Sequence, residues 1–415
     1  MAVDLAVVAI GDELLSGERS DTHTARLAQA LQPQGYALRR AVIVGDNEAD
    51  IAAVLTELAG KFPVVIATGG LGGTADDLTA RAAARAFGRR LWLHDESLAH
   101  IRQRLSQLQR PLQPHHERQA LLPQKAAPLG NPLGLAPGFH LAWNNSDFFF
   151  LPGVPEEMEA MLTASLLPRL KRLYPGEIFE ERRLELFGLP ESTAEHQLLA
   201  ADLPAGVSLG YGVHFPTLTV KLRARGADAT SLLDHAEIEA MRALGDAVFS
   251  RSGQSLAEVV AELLLRNGLS LALAESCTGG MIAQQLTDIP GSSAFLERCG
   301  VVYANRAKQS WLGVPEALLR EQGAVSRECA LAMAAGVRRA AGTDIGLSVT
   351  GIAGPGGGSA DKPVGTVFLG LATAEGSRVK ACRFAGDRQR VRQMSTATAL
   401  DWLRQLALQR QMTLE

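Results

Sequence analysis

Up to residue 90, strand-length apolar runs alternate with stretches whose apolar positions recur at helical spacing. Leu5–Ile10, Leu38–Val44 and Val64–Thr68 read as strands, with amphipathic helices at Thr24–Leu31 and Ile51–Leu58 between them. This βαβαβ order predicts right-handed crossovers and a parallel sheet. Prolines then crowd residues 110–155 (Pro111, Pro114, Pro123, Pro128, Pro132, Pro137, Pro152, Pro155), leaving one strand candidate, Phe148–Leu151, in what reads as ordered loops around a site.

A helical pattern over Glu156–Leu173 stops at Pro175-Gly176, and strand patterns at Arg182–Phe187 and Thr217–Arg225 flank a helical stretch near Thr193–Ala201. Ser255 is placed to cap a helix over Leu256–Arg266, closed by Asn267-Gly268, where a third alternating region begins. At 415 residues the chain exceeds what one hydrophobic core organises. The pattern therefore predicts an α/β multidomain protein: an α/β domain over 1–175, a small α+β domain over 176–250 and an α/β domain over 251–415.

Charge narrows the choice of partner. Lys plus Arg total 41 against 44 acidic residues, a formal charge of -3, which gives no electrostatic case for a nucleic-acid or membrane surface and favours small-molecule substrates. Met1-Ala2-Val3-Asp4-Leu5 lacks a basic leader, and no apolar run reaches the roughly 20 residues of a membrane span, so a cytoplasmic protein is expected. The four cysteines show no CxxC spacing, which argues against disulfides and a structural zinc. All nine histidines lie at or before His235, which removes the Ser-His-Asp mechanism from residues 236–415.

Two acidic, glycine-containing turns follow N-terminal strands. Gly69-Gly70-Leu71-Gly72-Gly73-Thr74-Ala75-Asp76-Asp77-Leu78-Thr79 lies between Val64–Thr68 and the Ala-rich helix from Ala80 to Phe87. Glycines at a strand's carboxyl end let backbone N–H groups approach a phosphate, and the helix N-terminus adds partial positive charge, so Gly69, Gly70, Gly72, Thr74 and Thr79 are candidate phosphate contacts. Asp76 and Asp77 would repel a bare phosphate, which calls for a hard divalent cation such as Mg²⁺ between them. Gly11-Asp12-Glu13-Leu14-Leu15-Ser16-Gly17 follows the first strand, placing Asp12 at the same sheet edge as a further candidate ligand. A helix cap at Asp77 and a plain glycine turn are the alternative reading.

In the C-terminal region a buried-strand run, Leu269–Ala274, leads into Glu275-Ser276-Cys277-Thr278-Gly279-Gly280 and a helical stretch at Met281–Leu286. Ser276 at such a turn is held exposed, with the N–H groups of Cys277, Thr278, Gly279 and Gly280 near enough to bind an oxyanion. Only part of the nucleophile-elbow pattern is present, and a capping serine fits it equally. The inventory of bases is more telling. A serine hydroxyl needs something to take its proton, and without histidine the usual substitute is a lysine of lowered pKa. Residues 251–415 contain three lysines, of which Lys308 follows the strand-to-helix segment Gly300-Val301-Val302-Tyr303-Ala304-Asn305-Arg306-Ala307. Lys308 and Tyr303 would reach one pocket, with the phenol relaying a proton or holding the lysine neutral. A solvated lysine and a half-buried tyrosine remain the alternatives. Cys277 is a rival nucleophile, since a thiol at a helix N-terminus can have a lowered pKa.

Two further segments suit a phosphorylated substrate. Ser348-Val349-Thr350-Gly351-Ile352-Ala353-Gly354 enters a Gly-rich loop fit to line the site or close over it. Asp387 is placed as the cap of the last helix, whose first turns carry Arg388, Arg390 and Arg392 where the helix dipole disfavours cations, so an anion is expected to compensate them.

The motif Gly69-Gly70-x-Gly72-x4-Asp77-x-Thr79 resembles the molybdopterin-binding fold of molybdenum cofactor biosynthesis proteins. With Ala9-Ile10-Gly11-Asp12-Glu13-Leu14-Leu15, Gly45-Asp46-Asn47, Asn131-Pro132-x-Gly134-Leu135-Ala136-Pro137-Gly138 and Leu151-Pro152-Gly153-x-Pro155, it is similar to the CinA family of competence/damage-inducible proteins. The resemblance implies hydrolysis of ADP-ribose with a divalent metal. Gly73 stands where the family usually has Pro, and a more flexible loop there is expected to weaken that activity. Phe187-Gly188-Leu189-Pro190-Glu191-Ser192 and His214-Phe215-Pro216-Thr217-Leu218-Thr219-Val220 resemble the family's KH-like middle domain, but without a GxxG clamp or a basic, aromatic-studded surface. That domain reads as a spacer or dimer element, with a homodimer expected.

Ala274-Glu275-Ser276-Cys277-Thr278-Gly279-Gly280, Tyr303-x-Asn305-x2-Lys308, Val349-Thr350-Gly351-Ile352-Ala353-Gly354-Pro355 and Gly386-Asp387-Arg388-x-Arg390 resemble, in order, the C-terminal domain of CinA, a nicotinamide mononucleotide deamidase. The resemblance implies Ser276 as nucleophile, Tyr303 and Lys308 in proton transfer, and Thr350, Gly351 and Arg390 at the substrate, with no cofactor. The family name suggests a different role, a non-catalytic pterin- or nucleotide-binding partner in DNA uptake or repair.

Overall fold

A computed structural model describes residues 3–414. The chain forms two compact units, residues 1–180 with 224–230 and residues 181–223 with 231–415. Most of 176–250, where a small α+β domain is expected, falls within the second unit.

In the first unit a six-stranded sheet runs in the order Tyr36–Val44, Val3–Ile10, Val64–Thr68, Ser146–Leu151, Gly138–Trp143, Ala127–Leu129. The first four strands are parallel and the last two join antiparallel. Apolar side chains on both faces of the central strands meet helices on each side, which is why these strands read as continuous apolar runs. Ile51, Leu55, Ala82 and Ala83 cover one face, and Leu27, Leu31, Met158 and Met161 the other. The Pro-rich stretch is more regular than expected: it holds the short helix Pro114–Arg118 and the strands Leu121–Pro123, Ala127–Leu129 and Gly138–Trp143. Two of these strands, Leu121–Pro123 and Ala127–Leu129, are three residues long with a proline in each, which leaves too little alternation to read. The helix expected over Glu156–Leu173 forms as Pro155–Met161 and Leu167–Leu173 around a π-helical turn at Leu162–Leu166. Pro168, which has no N–H for the helical ladder, accounts for the break.

The second unit carries two sheets. One has the order Ser208–His214, Thr217–Arg225, Phe179–Phe187, Val248–Ser250. The other has the order Leu296–Val301, Leu271–Glu275, Ile345–Gly351, Thr366–Thr373, Gly376–Arg383, its first three strands parallel. Helices Leu256–Arg266 and Arg388–Leu414 bury Val260, Leu264, Leu400 and Leu403 on one face, while Arg327–Ala341 buries Cys329, Met333 and Val337 on the other. Ser255 and Glu258 form a reciprocal capping box at the start of Leu256–Arg266. The register pairs Glu275 with both Val301 and Val349, so three parallel strands end level and deliver Ser276, Val302 and Thr350 to one sheet edge. Among the described residues, no helix is long and apolar enough to cross a membrane.

Candidate active site

Ser276 follows the buried strand Leu271–Glu275, and its N–H donates to Val349 O at 2.9 Å. The turn beyond it is held by Glu275, a buried carboxylate that accepts from the N–H groups of Gly280 (3.0 Å), Ile282 (3.2 Å) and Ala283 (2.8 Å). Glu275 thus occupies the N-terminus of helix Met281–Thr287, where an anion is favoured. Gly279 N–H is also spent, on Ser276 O at 3.1 Å. Of the four N–H groups expected to serve an oxyanion, Gly279 and Gly280 are therefore committed to the turn. Those of Cys277 and Thr278 carry no carbonyl partner among the described residues.

Lys308 is the candidate base that the inventory of lysines singled out, and it lies against Ser276. Its side chain is 1% exposed, and Nζ lies 3.2 Å from Ser276 Oγ, 2.8 Å from Val302 O and 3.0 Å from Tyr303 O. Burial lowers its pKa from the usual lysine value. Both carbonyls can only accept, so a neutral lysine gives its two N–H groups to them and turns its lone pair to the serine hydroxyl. Burial has the opposite effect on Cys277, whose thiol is pushed up to about 12. Cys277 is 4% exposed, and its Sγ packs beneath Gly351. Ser276 Oγ, not the Cys277 thiol, is therefore the side chain hydrogen-bonded to Lys308 Nζ.

Other expectations need correction. Tyr303 reaches Lys308 through its carbonyl; the phenol stands 59% exposed and accepts from Arg388 Nη2 at 3.0 Å. The Thr350 hydroxyl is buried and donates to Ala324 O at 2.7 Å. Arg390 is exposed, with its guanidinium stacked 4.3 Å above the Phe215 ring. Arg388 and Arg392, four residues apart and so on one helix face, are the arginines that meet the site. Arg388 also donates to Gly354 O at 2.9 Å, and Arg392 donates to Thr278 O from Nε (3.2 Å) and Nη2 (2.7 Å). Asp387 does cap the last helix, accepting from Arg390 N–H at 2.8 Å. Among the described residues none of the three arginines has a carboxylate partner; their neighbours are neutral carbonyls, a phenol and a ring.

The N-terminal glycine loop is shaped by Asp77. Its Oδ1 accepts from Gly72 N–H (2.8 Å), and its Oδ2 from the N–H (2.8 Å) and hydroxyl of Thr74. Thr79 is buried and donates its hydroxyl to Gly69 O at 2.8 Å. Asp77, expected as a metal ligand, and Gly72, Thr74 and Thr79, expected at phosphate, thus hold the Gly69-Gly70 turn, whose φ values are 108° and 62°. Gly73 is packed, not loose: a Cβ there would lie 2.3 Å from His115 O. Beside the loop lies a cavity of about 410 Å³ that Arg81 and Arg118 also line. Acidic groups gather at the neighbouring strand ends. Asp12 N–H donates to Asp46 Oδ2 (2.9 Å), and Asp46 N–H donates to Asp12 Oδ1 (3.0 Å). Burial first, then the charges of Asp12, Glu13 and Asp76, push the Asp46 carboxyl above its ordinary value.

Comparison with known proteins accounts for both regions. Residues 253–407 match the family model described as the CinA C-terminal domain, and residues 6–172 the one described as a probable molybdopterin binding domain. A CinA-like protein of Syntrophotalea carbinolica is 54% identical over 405 residues, covering 97% of this chain and 98% of that protein. The chain belongs to the CinA family. A CinA-like protein of Geobacter sulfurreducens is 49% identical over 412 residues, covering 97% of this chain and 99% of its own length. The crystal structure of competence/damage inducible protein CihA from Agrobacterium tumefaciens covers 37% of the chain and 96% of itself, at 42% identity and a TM-score of 0.35.

The two family-model matches fall on the sheets that carry the two constellations. Several residues that shape these sites escaped the sequence reading. Glu275 and Asp46 lie inside the quoted motifs, but nothing in their spacing announces that one caps a helix across the turn and the other clasps Asp12. In the sequence Arg392 stands only as surplus charge, and Val302 meets Lys308 through a carbonyl that any residue would supply.

Proposed function

We propose that this CinA-family chain is a bifunctional hydrolase of pyridine-nucleotide breakdown products. The C-terminal site deamidates nicotinamide mononucleotide to nicotinate mononucleotide and ammonia; the N-terminal site hydrolyses ADP-ribose. The observation that carries the first assignment is the buried contact of Lys308 Nζ with Ser276 Oγ at 3.2 Å, with Val302 and Tyr303 carbonyls holding the amine.

In this mechanism neutral Lys308 takes the hydroxyl proton as Ser276 Oγ bonds to the carboxamide carbon. The carbonyl oxygen becomes an oxyanion, to which the Cys277 and Thr278 N–H groups are open to donate. Lys308 then passes its proton to the amide nitrogen, the C–N bond breaks, and ammonia leaves an acyl ester on Ser276. Water, deprotonated by Lys308, attacks the ester; Ser276 recovers its proton and the free acid departs. Positive charge at Arg388 and Arg392, which have no carboxylate partner among the described residues, supports a substrate with a phosphate.

For the N-terminal site a divalent cation would supply charge neutralisation at the pyrophosphate when bound. Among the described residues, no three His, Cys, Asp or Glu side chains converge into a complete metal site. That suits a hard cation such as Mg²⁺, which is commonly held by one or two carboxylates together with substrate phosphates. Asp12 and Asp46 are the fitting pair, because each keeps a second oxygen after their mutual clasp and, among the described residues, neither has an ion-pair partner. Arg81 and Arg118 would orient phosphate oxygens from the adjoining cavity.

Paired assays of ammonia release and ADP-ribose hydrolysis on wild type and Ser276→Ala test the proposal. Ser276→Ala is expected to lose ammonia release and keep ADP-ribose hydrolysis. Near-wild-type ammonia release from that variant would sink the mechanism.

A further inference from the structure

Arg392 lies on the last helix, beyond Arg388, and its guanidinium meets the turn after Ser276 at the Thr278 carbonyl. Nε and Nη2 both donate to Thr278 O, at 3.2 and 2.7 Å, and Nη2 would stand 3.3 Å from a Cβ at Gly279. Thr278 is fully buried, and Gly279 takes a φ of 62°. The N–H groups of Cys277 and Thr278, which donate to no backbone carbonyl among the described residues and face the Cys277 sulfur, precede a peptide that Arg392 grips with a planar two-donor fork. Among the described residues no carboxylate neutralises Arg392, and its hydrogen bonds go to that carbonyl. Its charge is felt within the turn: it opposes the upward push of burial on the Cys277 thiol.

Resting on the deamidase reading, we infer that Arg392 is a positioning residue of the reaction: its two-donor grip on the Thr278 carbonyl aims the Cys277 and Thr278 N–H groups at the oxyanion and keeps uncompensated positive charge beside it. Glu275 fixes the far end of the turn through Gly280, Ile282 and Ala283, so Arg392 governs the end next to Ser276. The fork matters as much as the charge. A lysine would bring the charge without the planar pair of donors.

The test measures ammonia release from nicotinamide mononucleotide by the full chain as wild type, Arg392→Ala and Arg392→Lys, with and without added guanidinium. Arg392→Ala is expected to lower kcat at least about tenfold, less than the loss of a direct oxyanion donor, with KM changed by about twofold at most. Guanidinium at non-denaturing concentration restores much of the Arg392→Ala rate and nothing in wild type, and Arg392→Lys falls between the two. An Arg392→Ala enzyme with full kcat overturns the inference and leaves the deamidase reading standing. So does a variant whose loss follows its thermal unfolding and resists guanidinium, since that is a purely structural role. A wild-type chain that releases no ammonia overturns both.

Discussion

Lys308 Nζ and Ser276 Oγ stand 3.2 Å apart in a site where the lysine is 1% exposed and two carbonyls take its other hydrogen-bonding positions. If the neutral amine is the working base, ammonia release rises as pH passes upward through the Lys308 pKa. Burial lowers that pKa, so the rise falls below the range of an ordinary lysine, about 10.4. Lys308→Met is expected to cost about 10²- to 10⁴-fold in kcat. Lys308→Arg is expected to be as inactive, because a guanidinium does not give up its proton.

The same burial bears on stability, with a definite sign. The folded-state pKa of Lys308 lies below its unfolded value, so between the two the unfolded chain binds more protons and stability rises with pH. Below the folded value the whole penalty is present. Lys308→Met removes the penalty, so its Tm is expected to exceed that of wild type at neutral pH and to lose this advantage as pH climbs toward the unfolded lysine value. A lower Tm for Lys308→Met across that range would contradict the account.

Cys277 adjoins the nucleophile but is buried, and its thiol is pushed up to about 12. It is expected to resist alkylation at neutral pH, and Cys277→Ala to retain ammonia release within about threefold, the scale of a small repacking. Rapid inactivation by a thiol reagent, abolished in Cys277→Ala, would restore the thiol as a working group.

Legibility from sequence followed the range of the interactions. Period and apolar runs disclosed the parallel strands, because burial on both faces leaves a continuous signal in Val64–Thr68 and Leu271–Glu275. The lack of histidine and the few lysines identified Lys308 before any geometry. What stayed hidden acts through the backbone or across the fold. Tyr303 matters for its carbonyl, which its identity does not reveal. Arg390 looked like a phosphate ligand from its place in the motif, yet lies half a helical turn from the face shared by Arg388 and Arg392 and stacks on Phe215. Asp77 carried the expected charge, but its oxygens are satisfied within five residues of chain.

Glu275 provides a stability prediction separate from catalysis. Its carboxylate serves three N–H groups at a buried helix start, so Glu275→Ala leaves those donors unsatisfied. The expected loss is about 2–3 kcal/mol in urea unfolding of the C-terminal unit. Glu275→Gln keeps one acceptor oxygen but points an NH₂ at the helix N–H groups, so it is expected to recover little of that loss. Stability unchanged in both variants would show that the turn holds without the carboxylate.

At the N-terminal site substitutions at Asp46 and Asp77 are expected to separate metal binding from loop shape. Asp46 faces Asp12 and the neighbouring acidic charge, whereas both oxygens of Asp77 are taken up by Gly72 and Thr74. Asp46→Asn is therefore expected to raise the Mg²⁺ concentration for half-maximal ADP-ribose hydrolysis at least about tenfold, with the rate recovered at saturating metal. Asp77→Asn disturbs the loop and is expected to lower the maximal rate without moving the metal requirement. Chelation with EDTA stops ADP-ribose hydrolysis in every variant and leaves ammonia release untouched, because no step assigned to Ser276 and Lys308 uses a cation. If Asp77→Asn instead shifts the metal titration and Asp46→Asn does not, the roles of the two aspartates are reversed.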